Sequence, residues 1–316
     1  ANTGARRGTQ PEQSLSIPKT LALVKRPRRR HLRRHDAKGY RCSRRHAMKT
    51  HTLLKMMREA VHPAEQTAYG LLAGAMLANP CRPETASMWL WRYKRGHSIR
   101  TARIAGHIAE AMGMEPRQAL LLKVAAILHD AGRFEQVRHY CTYADSQSID
   151  HGQASSAVVE AGRGPLMDSG LTKKEVDEIV VAVRIHNKLP GTLENNISGG
   201  VRDCDRIDIA ANAPHIFASE KLQPVLWHTG TWSARRLAPD ADALSVALAG
   251  GDITREQMNR NIDNAMSNVF SWTVGNLSTT GAIAVSAKRG LATRLLDIFD
   301  PSATGFAEMK RCAQGR

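Results

Sequence analysis

The sequence predicts an all-α fold. Three observations carry that reading. Aromatic residues make up only 5% of the 316-residue chain. Alternating apolar and polar runs bounded by turn residues are scarce, and from Thr52 onward apolar residues recur at the three- and four-residue spacing of a helix face. A hydrophobic fraction of 42% supplies enough side chains for a core, as one large domain or two modest ones.

The elements follow in order. Ala64 to Leu77 reads as a helix that stops before Asn79-Pro80, and Thr85 to Tyr93 as a second, short one. Ser98 to Met112 places Ala102, Ala105, Ile108, Ala109 and Met112 on one face and closes at Gly113. Pro116 suits the first turn of the next helix, whose apolar run is Leu120 to Leu128. Thr172-Lys173-Lys174-Glu175 has the spacing of a capping box, and Val176, Ile179, Val180 and Val183 form the stripe behind it, in a helix that should stop before Pro190. Further helices are expected at Val201 to Ala213, Thr254 to Leu277 and Ala282 to Phe299, with an ordered loop or short turns from Leu222 to Ala241. No internal repeat is visible.

The formal charge of +16 suggests a nucleic-acid or anionic-surface binder until its position is considered. Residues 1–50 hold 15 Lys+Arg against Glu12 and Asp36, which is +13, and the other 266 residues carry 30 bases and 27 acids, which is +3. Residues 1–50 therefore read as a basic, disordered arm, too poor in apolar surface to offset its ordering entropy. The arm suits weak contact with nucleic acid or another anionic surface. Equally, it reads as an incidental extension upstream of a natural start at Met48. Its Arg-rich, acid-poor composition is transit-like but short of Ser. Five widely spaced cysteines without a CxxC pair suit a reducing compartment. No run reaches the roughly 18 to 20 apolar residues of a membrane span, so a cytoplasmic location is expected. The oligomeric state is open.

Ten histidines lie outside the arm, and a lone histidine is usually a hydrogen-bonded structural residue. The adjacent pair His129-Asp130 is different, because it closes the apolar run Lys123-Val124-Ala125-Ala126-Ile127-Leu128 and is followed by Ala131-Gly132-Arg133. A carboxylate beside an imidazole at the end of a buried helix is costly unless something neutralises it, and a divalent ion does so. His97 lies at the expected start of the preceding helix. Asp205 lies in Arg202-Asp203-Cys204-Asp205-Arg206-Ile207-Asp208, an acidic cluster in an otherwise apolar helix.

The order His97, His129-Asp130, Asp205 resembles the signature of the HD-domain metal-dependent phosphohydrolases, an all-helical superfamily. The blocks around His97-Ser98-Ile99-Arg100, Leu128-His129-Asp130-Ala131-Gly132-Arg133, Asp150-His151, Ile185-His186-Asn187-Lys188 and Arg202 to Asp208 are similar to successive blocks of one bacterial branch, and Arg294 to Asp300 to its closing helix. The resemblance implies an HD-domain helical bundle over residues 97–316, preceded by additional helices at 51–96, with coverage to about Arg311. It implies His97, His129, Asp130 and Asp205 as metal ligands, with Asp130 at the centre of catalysis. His151 and His186 complete the set of a two-ion site, which favours two divalent ions of the Mn, Mg, Fe, Co, Ni or Zn kind. Cys204 stands where relatives commonly have Ala, and a small buried thiol fits there.

The implied reaction is hydrolysis of a phosphomonoester or phosphodiester in a small phosphorylated substrate, a nucleotide by resemblance. Arg133, Lys188 and Arg206 are the candidate substrate-phosphate cations by adjacency to the ligands, and each also reads as an ordinary surface ion-pairing residue. Asp203 and Asp208 are candidate acceptors for the ligand imidazoles, although Asp208 also reads as an exposed helix residue. His186 also reads as a helix C-cap and His151 as a helix-start residue. His107, His139, His215 and His228 are left as structural. Two other functions stay open: a mixed-valence diiron oxygenase, which the same six ligands would serve, and a nucleic-acid binder acting through the arm.

Overall fold

The computed structural model describes residues 55–57, 59–60, 62–80, 86–188, 196–218 and 237–315. The arm at 1–50 and most of the expected loop from Leu222 lie outside them. The described residues are dominated by helices, and their only β feature is an isolated parallel bridge between Leu237 and Phe299. The all-α expectation holds. None of the described helices is long and apolar enough to cross a membrane.

Helix α1 (Pro63–Ala78) begins with the His62 side chain accepting from the Ala64 amide at 3.1 Å, and with proline in its first turn. Helix α2 (Ala86–Ala111) corrects the sequence reading, which placed a break between Tyr93 and Ser98 and set His97 at a helix start. The chain runs through Gly96 without interruption. A helical glycine costs about 1 kcal/mol, and here burial of Trp91, Lys94, His97, Ser98 and Thr101 along the inner side offsets it. His97 therefore sits in mid-helix.

Helix α3 (Pro116–Leu128) is the centre of the molecule. Leu120, Leu121, Leu122 and every residue from Val124 to Leu128 are buried. A helix apolar all round must be enclosed, and α1 and α2 pack against it, together with α7 (Lys173–Ile185) and α8 (Asn196–Ala218). The Thr101 hydroxyl donates to the Ala126 carbonyl at 3.1 Å and ties α2 to this helix close to its end. The chain then turns through His129-Asp130 into α4 (Arg133–Tyr140).

Helix α5 (His151–Ala161) is capped by Asp150, whose carboxylate accepts from the Gly152 and Gln153 amides, and it packs on α7. The short α6 (Arg163–Asp168) follows. The capping box at α7 is present, with Thr172 and Glu175 satisfying each other's amides. Arg117, from the first turn of α3, forks onto the same Glu175 at 2.5 and 2.6 Å. That guanidinium pulls the Glu175 carboxyl from 4.5 down to about 2. Because the folded value is depressed, the stabilisation is complete above about pH 4.5 and fades as pH falls toward about 2. The Arg117 side chain is 41% exposed, so solvent screens the pair and Glu175→Gln should cost no more than about 1 kcal/mol near pH 7. The difference from wild type, read from denaturant midpoints, should shrink at about pH 2.5; a constant gap would sink the assignment.

The C-terminal half corrects two boundaries. The stretch expected as one helix from Thr254 to Leu277 is α10 (Arg255–Arg260) and α11 (Ile262–Val274), because Asn261 turns extended and caps Asn264. The stretch from Ala282 to Phe299 is α12 (Thr280–Lys288), α13 (Leu291–Leu295) and a 3-10 turn, broken where Gly290 takes φ 58°. Helices α9 (Ala241–Leu248) and α14 (Phe306–Gln314) complete the fold. α9 and α10 pack on α11, and α11 packs on α8.

Candidate metal centre

Five elements deliver one cluster of imidazoles and carboxylates. His97 comes from the middle of α2, His129 and Asp130 from the end of the enclosed α3, His151 and His186 from the start of α5 and the end of α7, and Asp205 from α8. All except Asp205 are at most 5% exposed. The Asp205 side chain, at 20%, is the one open to solvent.

The ligand atoms of His97, His129, Asp130 and Asp205 all lie within 4.8 Å of one another, and so do those of Asp130, His151 and His186. Asp130 is common to both sets, and it faces them with different oxygens. Its Oδ2 lies 3.3 Å from His97 Nε2 and 3.4 Å from His129 Nε2, while its Oδ1 lies 3.8 Å from His151 Nε2. A further set, Asp145, Asp150 and His151, has its atoms committed elsewhere: Asp145 to His151 and Arg133, and Asp150 to Lys188 and the cap of α5.

The tautomers follow from the partners. His129 Nδ1 lies 2.8 Å from the Ala126 carbonyl and His186 Nδ1 lies 2.7 Å from the Val183 carbonyl; a carbonyl only accepts, so both nitrogens donate. His97 Nδ1 donates to Asp208 at 2.7 Å and His151 Nδ1 to Asp145 at 2.6 Å. A neutral imidazole has one N–H, so all four Nε2 atoms carry lone pairs, and these face one another at 3.0 Å (His97 to His129) and 3.2 Å (His151 to His186). Asp205 Oδ1, 3.0 Å from His97 Nε2, accepts no hydrogen bond. Opposed lone pairs beside carboxylates need positive charge between them, and a divalent ion of the kind bound by mixed imidazole and carboxylate donors fits this set.

The two halves differ electrically. Burial and Lys94 push the His97 imidazole down, but Asp130, Asp205 and Asp208 outweigh them and bring it up to about 10. Burial, with His151 and His129 adding to it, drives His186 down to about 3. The half with two carboxylates thus draws positive charge strongly, as a proton on His97 Nε2 or as an ion in that proton's place, and the other half presents neutral imidazoles.

Asp208 holds His97, as the sequence reading expected, and is buried; it also takes both arms of Arg100 at 2.7 and 2.9 Å. Arg133 reaches Asp130 Oδ1 at 3.3 Å and Asp145 at 3.1 Å. The structure does not bring the other three expected residues to the imidazoles. Asp203 accepts from the Ser278 and Thr279 amides and the Thr279 hydroxyl, fixing the start of α12. Arg206 donates to Asp252 and the Asn276 carbonyl and lies on the Trp272 ring. Lys188 pairs with Asp150, so it supports the cap that starts α5.

Sequence reasoning missed five groups. Lys94 places Nζ 2.5 Å from Asp130 Oδ2, and the Tyr93 ring stacks on His97 with centroids 6.0 Å apart. Asp145 and Tyr143, on the segment after α4, hold His151 and receive Arg133. Lys94 and Arg100 stand one turn either side of His97, a signal that a continuous helix would have given.

Residues 95–213 match the HD domain family model. That interval contains all six clustered histidines and aspartates and ends short of the C-terminal helices. A search of curated proteins and a search of solved structures each return no significant match.

Proposed function

We propose that the HD domain carried over residues 95–213 is a metal-dependent phosphohydrolase. His97, His129, Asp130 and Asp205 would hold one divalent ion, and Asp130, His151 and His186 a second. The observation that carries this reading is the set of four Nε2 lone pairs, each fixed by its Nδ1 partner, converging around a carboxylate shared between both sets. When bound, such ions polarise a phosphoryl group and make water nucleophilic near neutral pH.

The chain's own residues do the rest. Asp208 and Asp145 lock the tautomers of His97 and His151. Arg133 sits where it can orient a substrate phosphate, tethered through Tyr143, Gln136 and Asp145. Solvent reaches the set from the Asp205 side. The reaction is phosphate-ester hydrolysis, with nucleotides as the substrate class implied by resemblance.

The test is phosphate release from a nucleotide panel with the full chain under Mn²⁺ or Mg²⁺, beside oxygen consumption by the iron-loaded protein in air. Phosphate release without oxygen uptake supports the reading. Oxygen uptake without phosphate release replaces it with the diiron oxygenase, and protein that takes up no divalent ion removes both. Asp208→Asn should weaken ion binding by about 10- to 100-fold, because the amide turns its N–H₂ either toward His97 Nδ1, which moves the imidazole proton to Nε2, or toward the Arg100 guanidinium, donor against donor. Unchanged binding in a metal titration would show that Asp208 serves only Arg100.

A further inference from the structure

We propose that the site selects a phosphate bearing two negative charges, a phosphomonoester or the terminal phosphate of a nucleotide, and that Lys94 acting with Arg133 makes the selection. This rests on the phosphohydrolase reading above.

Lys94 is buried at 6% exposure, and its ammonium contacts Asp130 Oδ2 at 2.5 Å. Arg133 contacts the other oxygen at 3.3 Å. Both cations lie against one ring, that of Tyr143, at 5.5 and 5.1 Å from its centroid. One carboxylate thus carries two cations while also facing two sets of ligand nitrogens. Neutralising Asp130 requires one positive charge, and burying a lysine is expensive. Arg133 also pairs with Asp145 at 3.1 Å, so the balance has to be struck over the whole cluster.

Among the described residues, the carboxylates touching the four imidazoles are Asp130, Asp145, Asp205 and Asp208. The lysine and arginines on those carboxylates are Lys94, Arg100 and Arg133. Lys188 and Asp150 pair with each other. With imidazoles neutral, as coordination requires, these groups leave the site one negative charge, and two divalent ions turn that into three positive. A phosphomonoester dianion with a deprotonated attacking water supplies three negative charges. A diester monoanion leaves one buried positive charge uncompensated, which a low-dielectric site penalises. Without Lys94 and Arg133 the surplus would be one, and the preference for a dianion would disappear. In the reaction the water oxygen bonds to phosphorus and the ester P–O bond breaks. Its electron pair leaves on the alcohol oxygen, which takes up the proton given up by the water.

The test uses the full chain loaded with Mn²⁺. Binding of inorganic phosphate at about pH 8, where it is mostly dianionic, is compared with binding of dimethyl phosphate, and hydrolysis of p-nitrophenyl phosphate with that of bis(p-nitrophenyl) phosphate. Wild type should favour the dianion by about tenfold or more on both measures. Lys94→Met should bind Mn²⁺ as tightly as wild type or tighter, since a like charge has gone, yet lose about tenfold in phosphate binding and most of the selectivity. Lys94→Arg should keep the selectivity. A Lys94→Met protein that loses Mn²⁺ and phosphate binding together would mark Lys94 as a structural counter-ion and overturn the proposal, as would a wild type that prefers the diester or binds both probes equally. Wild type that binds Mn²⁺ and prefers inorganic phosphate but cleaves no ester leaves the anion selectivity standing and sinks the hydrolase reading. Wild type that takes up no Mn²⁺ sinks both.

Discussion

On the phosphohydrolase reading, Asp130→Asn should abolish divalent-ion binding and lower hydrolysis by at least about a thousandfold, on the order of 4 kcal/mol of barrier. The geometry explains why so small a change should matter so much. Each oxygen of Asp130 faces a cation and at least one imidazole: Oδ2 meets Lys94, His97 and His129, and Oδ1 meets Arg133 and His151. An amide must turn its N–H₂ toward either Lys94 or Arg133, donor against donor, and it removes the charge both ion sites share. The buried Lys94 then loses its carboxylate, and stranding a buried charge typically costs about 3 to 5 kcal/mol. The check is thermal unfolding with and without Mn²⁺. An ion at about 100 times its Kd stabilises the native state by about 2.7 kcal/mol, so wild type should melt higher with the ion and the variant should not shift. An equal shift in both proteins would remove Asp130 from the site.

What the sequence showed, and what it hid, both follow from the way local pattern reports on structure. The enclosed helix α3 was legible because a run apolar on every side has only one place to go, and His129-Asp130 was conspicuous because charge at its end demands compensation. The capping box at Thr172 and Glu175 was equally plain. The break expected between Tyr93 and Ser98 was wrong: the interval holds Gly96, and burial along α2 overrides that residue's poor helix propensity. That misplaced break also hid Lys94 and Tyr93, which share one helix with His97. Asp203 and Arg206 show the opposite error. Adjacency to Asp205 in sequence swings a helical side chain through about 100° per residue, and both point to partners around Ser278, Thr279, Asn276 and Asp252 instead. Asp145 left no trace, since it starts a single 3-10 turn, Asp145–Gln147, whose spacing to His151 reflects no helical or strand period.

The glycine in Leu128-His129-Asp130-Ala131-Gly132-Arg133 has its reason in a contact. Gly132 has ordinary helical angles, φ −72° and ψ −16°, so conformation does not require glycine there. Space does: a Cβ would lie 2.4 Å from the Ser155 amide nitrogen and 2.6 Å from the Ala154 carbonyl carbon, in the backbone of α5. The Gly132 amide also donates to the Ser155 hydroxyl at 2.9 Å, which pins the two segments together. Gly132→Ala must push α5 away or distort the turn after Asp130, and overpacking of this kind costs about 1 to 3 kcal/mol and sometimes more. Because α5 begins with His151, the displacement opens the 3.8 Å gap between His151 and Asp130 while leaving His97, His129 and Asp205 on α2, α3 and α8. The variant should therefore lose one bound ion before the other, seen as a fall in Mn²⁺ stoichiometry from two toward one in protein that still folds. Gly106→Ala is the control, since its Cβ would meet nothing within 4 Å on an exposed face of α2 and should stabilise by about 0.5 to 1 kcal/mol. Full stoichiometry and unchanged stability in Gly132→Ala would mean that α5 can yield without moving His151, and the close approach would then not be what positions the second set of ligands.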